Sequence, residues 1–125
     1  MASYRFLFLN VGHSIDHLFM LMFPAVAALA AADLSASYGD VLKLTTGSFI
    51  AFGIFSLPMG WLADRLSREF MLSVFFIGIG ISMLLTGLAS EKWQIFCSLI
   101  LVGMFAAIYH PVGLAMVSQG GGDVG

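Results

Sequence analysis

One charged segment stands out, Gly60-Trp61-Leu62-Ala63-Asp64-Arg65-Leu66-Ser67-Arg68-Glu69. It packs charge of both signs into a short connection. A long apolar run precedes it, from about Val41 to Ala63, and another follows, from about Phe70 to Ala89. An earlier run extends from about Phe6 to Ala32, between Arg5 and Asp33, and a last one from about Trp93 to Val117. The residues after that, 118–125, form a Gly-rich tail. Each run is long enough to cross a hydrocarbon layer of about 30 Å as a helix. The runs are continuously apolar rather than alternating, which argues against strands, and backbone in lipid must satisfy its own hydrogen bonds. The expectation is an all-α membrane protein with four transmembrane helices, at 6–32, 41–63, 70–89 and 93–117. Short loops make sequential helices antiparallel.

Composition excludes most alternatives. The 125 residues are 60% hydrophobic and 10% charged, with a mean hydropathy of +1.00. Soluble domains are nearer half apolar and a quarter charged. An ordinary cytosolic enzyme and a disordered chain are therefore excluded. Five Lys+Arg against seven Asp+Glu leave no basic patch for nucleic acid. The single cysteine, Cys97, permits no internal disulfide and no cysteine-based zinc cluster. Arg5, an apolar run and Ala27-Ala28-Leu29-Ala30 have the outline of a cleaved signal peptide, but His13, Asp16 and His17 interrupt its apolar part. With the N-terminus inside, Arg5, Arg65 and Arg68 lie inside while Lys43 and Lys92 lie outside, a slight positive-inside bias.

Polarity within the first run carries the chemistry. Asn10, His13, Asp16 and His17 stand among Phe, Leu, Val and Met. His13, Asp16 and His17 are spaced i, i+3, i+4 and share a helix face. A charged group facing lipid costs at least ~2–3 kcal/mol, so this face should turn to the bundle interior or to a wet cavity. The fourth run carries Tyr109-His110-Pro111. His13 and His110 should each be roughly 12 Å from the inner end of its helix, at ~1.5 Å per residue. The four ionisable groups, His13, Asp16, His17 and His110, can then form one cluster. Imidazole titrates near neutrality and a nearby carboxylate raises its proton affinity, so the cluster suits proton exchange. Two other readings stand beside it. One is a structural network in which Asp16 accepts from His13 or His17. The other is a metal site, since His-x2-Asp-His with His110 offers a tetrahedral donor set, although it lacks the HExxH spacing of hydrolytic zinc helices.

Small residues mark close helix approach: Gly47 with Ala51, Ser56 with Gly60, Gly78 with Ser82, and Gly103 with Ala107. Pro24, Pro58 and Pro111 each remove an amide donor inside a run, leaving either a tolerated kink or a hinge.

The quoted connection resembles motif A of the major facilitator superfamily, G-x-x-x-D-R-x-G-R-[RK], which joins the second and third helices of those transporters. Gly60, Asp64, Arg65 and Arg68 match. Ser67 stands where the family has Gly, and Glu69 where it has a final cation. The segment lies between the second and third hydrophobic runs, where the family has it. Gly60 allows close helix approach, and Asp64 can bond across to Arg68 and to a helix N-terminus. In the family this cluster latches the cytoplasmic gate in the outward-facing state. The His/Asp-bearing first helix and Tyr109-His110-Pro111-Val112-Gly113 look like the fosmidomycin-resistance group of the superfamily.

The resemblance covers essentially the whole chain as the first four helices of a twelve-helix transporter. It implies a partial N-terminal six-helix bundle over 1–125, with helices one and four on the central cavity. It implies an N-terminal fragment or truncated product of a proton-coupled secondary transporter that works by alternating access. His13, Asp16, His17, His110 and Tyr109 become proton-coupling or substrate residues, and Gly60, Asp64, Arg65 and Arg68 the gate motif. The expected partners are a small-molecule substrate, protons, the lipid bilayer and the missing C-terminal helices. The expected location is the bacterial inner membrane, multi-pass, with a cytoplasmic N-terminus. No enzyme activity, catalytic residue, cofactor or resident metal is expected. One rival is a complete four-helix efflux dimer resembling the small multidrug resistance proteins, which carry a carboxylate in the first helix. Another is a non-transporting membrane scaffold or metal-binding subunit.

Overall fold

The computed structural model describes residues 2–120. Within them the chain is helical: α1 (Ala2–Asp33), α2 (Tyr38–Lys43), α3 (Thr46–Ala63), α4 (Arg68–Leu88) and α5 (Lys92–Gly120). No strand occurs among the described residues. Four stretches are long and apolar enough to cross a membrane: Tyr4–Asp33, Tyr38–Ala63, Arg68–Leu88 and Lys92–Ser118. The expected all-α class with four spans is what the chain adopts. The helix of α5 continues through 118–120, and the remaining Gly-rich residues, 121–125, lie outside the described residues.

The second span differs from expectation in one respect. It is divided into a short leading helix, α2, and the long α3. Ser37 begins α2 as its N-cap, its hydroxyl accepting from the Asp40 amide at 3.1 Å. Around Leu44 and Thr45 the backbone tightens to i→i−3 bonds, from Leu44 N–H to Val41 and from Thr45 N–H to Leu42. Hydroxyls reinforce the tightening. Thr45 donates to the Leu42 carbonyl at 2.7 Å and Ser48 to the Thr45 carbonyl at 2.8 Å, while Thr46 bonds Lys43. Clustered Ser/Thr side chains thus compete with the regular i→i−4 ladder.

Apolar periodicity explains the packing. In α4 the buried residues Met71, Phe75, Gly78, Ser82 and Thr86 recur every three or four positions and form a single stripe. In α1 the stripe is Leu9, Gly12, Asp16, Met20, Phe23, Ala27 and Ala31. Helix α5 is the hub, packed against α1, α3 and α4. It is accordingly buried on more than one side: Ile95, Leu99, Val102, Ala106, Tyr109 and Met116 are core residues, and so are Ala107, Ile108 and Val112.

The small-residue pairs sit at these contacts. A Cβ on Gly103 would overlap the Ser48 carbonyl, so α3 and α5 touch backbone to backbone there. A Cβ on Gly78 would run into the Phe105 ring, and one on Gly47 would lie 2.8 Å from Phe96. Gly60 is looser, with Pro111 at 3.7 Å. A buried hydrogen bond of 2.9 Å from Thr86 to Ser98 further ties α4 to α5. The outer surface is apolar, with Leu57, Leu84, Leu88, Leu29 and Leu114 all exposed. In water such a surface would be an aggregation liability, whereas lipid accepts it.

Candidate functional site

Asp16 occupies a core position of the α1 stripe. It is 1% exposed, in a row otherwise filled by Leu, Gly, Met, Phe and Ala. Its Oδ2 lies 3.4 Å from His110 Nε2 across the α1–α5 contact. Its Oδ1 is buried and has no hydrogen-bond partner among the described residues. An unpartnered buried carboxylate oxygen costs free energy that a merely structural residue would not need to incur. The nearest ionisable neighbour is thus on the facing helix, rather than His13 or His17 on the carboxylate's own helix.

His13 and His17 follow Gly12 and Asp16 by one position, which rotates them about 100° out of the core stripe. Both are exposed along the α1 flank, and His110 is half-buried. The three rings nonetheless gather. Their centroids are 4.6 Å apart for His13–His17, 5.3 Å for His13–His110 and 5.8 Å for His17–His110. The similar depth deduced for His13 and His110 from helix rise is therefore realised. All four ionisable residues form one cluster at the α1–α5 seam.

Tyr109 braces the seam. It is 3% exposed, and its hydroxyl donates to the Leu9 carbonyl of α1. Its ring lies directly against Gly12, where a Cβ would come within 2.8 Å of it. Phe75 stacks obliquely on its other side, with centroids 5.1 Å apart. Phe52 of α3 meets His110 edge-on at 5.4 Å. Gly12, Leu9 and Phe52 were not visible as site residues in the sequence. Only Gly12 had a signal: a glycine one position before His13, in a helix whose polar residues cluster there. A cavity of about 220 Å³ opens beside the cluster, lined by Phe6, Leu9, Asn10, His13, Tyr109 and His110 among others. Asn10 faces the cavity while its amide donates to the Phe6 carbonyl at 2.9 Å.

The charged connection lies at the opposite end of α3 from the α2 break. Asp64 is the C-cap of α3, and the chain turns through Arg65 and Leu66 to Ser67. The Arg65 guanidinium lies 4.0 Å over the Trp61 ring, a cation–π contact. Ser67 is the N-cap of α4, its hydroxyl accepting from the Phe70 amide at 3.2 Å. Glu69 falls in the first turn, where the helix dipole favours an anion. Both departures from the motif therefore serve the start of α4.

Four apolar helices with a polar seam and a charged turn define a polytopic helical membrane protein. The family model described as Major Facilitator Superfamily matches residues 10–119, and the chain belongs to that superfamily. As a member of a transporter family it is not an enzyme. The chain is similar to "Puromycin resistance protein pur8" of Streptomyces alboniger, 34% identical over 86 residues, which is 69% of this chain and 17% of that protein. The chain thus spans less than a fifth of the length of the curated relative it matches. No solved structure matches.

Proposed function

We propose that residues 1–125 are the N-terminal part of a proton-coupled secondary transporter that moves a small molecule by alternating access. His13, Asp16, His17, His110 and Tyr109 are its proton-coupling or substrate-contact residues. The observation that carries this reading is Asp16, a core carboxylate facing His110 with one oxygen unpartnered. Intramembrane ionisable groups are functional by default, because lipid penalises them. A proton taken by this cluster would change the attraction between α1 and α5 at the seam. Asp16 faces His110 directly, and His13 and His17 gather around that His110 ring from the flank of α1.

Gly60, Asp64, Arg65 and Arg68 are the gate motif in this reading, with the charged turn on the cytoplasmic side. The N-terminus is then cytoplasmic, in the bacterial inner membrane. The similarity to a resistance protein favours efflux of the substrate. The remaining helices of the transporter would come from outside residues 1–125. The test is vesicle transport by the gene product that carries these residues, with an imposed pH gradient. Asp16→Asn should abolish gradient-driven accumulation while leaving downhill exchange intact. Unchanged gradient-driven accumulation in that variant would contradict the coupling role.

A further inference from the structure

The histidines have a second chemistry that does not depend on the transport reading. His13, His17 and His110 each offer a ring nitrogen, and these three atoms lie within 4.8 Å of one another. Around one tetrahedral Zn²⁺, with bonds of about 2.0–2.1 Å, nitrogens stand roughly 3.4 Å apart. Closing the set takes roughly an ångström of movement at each ring, within the range of side-chain torsions. His13 and His17 are exposed and free to make it. Their i, i+4 spacing already stacks two imidazoles on one face of α1, and His110 enters from α5.

A second observation comes from the carboxylate beneath the rings. Asp16, 1% exposed, presents Oδ2 at 3.4 Å from His110 Nε2 and leaves Oδ1 without a partner. A buried carboxylate beside an imidazole is what metal-ligating histidines characteristically have, since it orients the ring and raises its basicity. When ionised it also supplies negative charge to a site that otherwise has only neutral donors.

The geometry points to a divalent transition-metal site of the Zn²⁺ class, formed by His13, His17 and His110 with Asp16 as its carboxylate partner, linking α1 to α5. Three imidazoles select borderline metals over Mg²⁺ and Ca²⁺, which prefer oxygen. The fourth position is left to water or a small ligand.

Cobalt titration of the purified protein in detergent tests this, using a tag without histidine. Tetrahedral Co²⁺ gives intense visible bands that octahedral Co²⁺ lacks. We expect one Co²⁺ per chain with tetrahedral bands, displaced by Zn²⁺ and not by Mg²⁺. His17→Ala and His110→Ala should each weaken binding by more than tenfold, and Asp16→Asn by about 10–100-fold. His110→Cys keeps a donor atom and guards against misfolding of the alanine variant. It should retain a tetrahedral spectrum, altered by sulfur. Absence of tetrahedral bands in the parent protein would overturn the proposal. So would undiminished cobalt binding in both alanine variants.

Discussion

At the residue scale the seam depends on Asp16 and its brace, Tyr109. Asp16 stands in a row of core residues, so only its chemistry distinguishes it from a packing residue. Replacing it by Leu fits the stripe, removes an unpartnered buried oxygen and should raise thermal stability while eliminating coupled transport. A melting curve paired with the vesicle assay checks both arms. Tyr109 is different, because its ring fills space and its hydroxyl joins α5 to the Leu9 carbonyl. Tyr109→Phe should cost about 0.5–1.5 kcal/mol of stability, the net worth of one hydrogen bond. Gly12→Ala should cost about 1–3 kcal/mol, since the new methyl meets the Tyr109 ring. Denaturation in mixed micelles would measure both. The polar members of this site were legible because lipid makes His and Asp conspicuous. The i, i+3, i+4 spacing placed them together, and helix rise matched His13 with His110. It could not say that Asp16 alone enters the core while His13 and His17 stay at the flank. That follows from which stripe the apolar neighbours choose: Leu9, Gly12, Met20 and Phe23 take Asp16 with them.

At the element scale, hydroxyl side chains set the helix boundaries. Ser67 begins α4 where the related motif has glycine, and its hydroxyl accepts the Phe70 amide. Ser67→Ala should therefore weaken α4 by about 0.5–2 kcal/mol, while Ser67→Gly should cost only a few tenths. Hydrogen exchange at Phe70 and Met71 would resolve the difference. Because Ser67 caps α4, Arg68 and Glu69 form its first turn rather than precede it, but the turn itself was readable from charge alone, since Asp64-Arg65 and Arg68-Glu69 interrupt the apolar runs. The break between α2 and α3 was not. Val41 to Ala63 reads as one hydropathic block, and what divides it is a local contest for carbonyls by Thr45, Thr46 and Ser48. Hydropathy has no information about that contest.

At the scale of the whole molecule, α5 organises the bundle by packing against α1, α3 and α4, and its Gly103 admits α3 at backbone distance. Gly103 against Ser48 is the tightest of these contacts, and backbone cannot move aside as a side chain can. Gly103→Ala should separate α3 from α5 and cost more than the ~1–3 kcal/mol of ordinary overpacking. Gly80→Ala, with open space around it, should be neutral or slightly stabilising. The comparison of the two melting temperatures isolates close approach from helix propensity. Sequence spacing marks Gly103 with Ala107 as a packing pair, but it cannot identify α3 as the partner.

The same arrangement separates two kinds of exposed surface: an apolar exterior that includes Leu57 and Leu84, and a polar seam formed by His13, His17 and His110 over the buried Asp16. Function at the seam requires water there and lipid at the exterior. Cysteines placed singly at positions 13, 17, 110, 57 and 84, in a background where the exposed Cys97 is replaced by Ser, separate them directly in membranes. A small membrane-impermeant thiol reagent should modify positions 13, 17 and 110 and leave 57 and 84 untouched. Protection at 13, 17 and 110 equal to that at 57 and 84 would contradict the account.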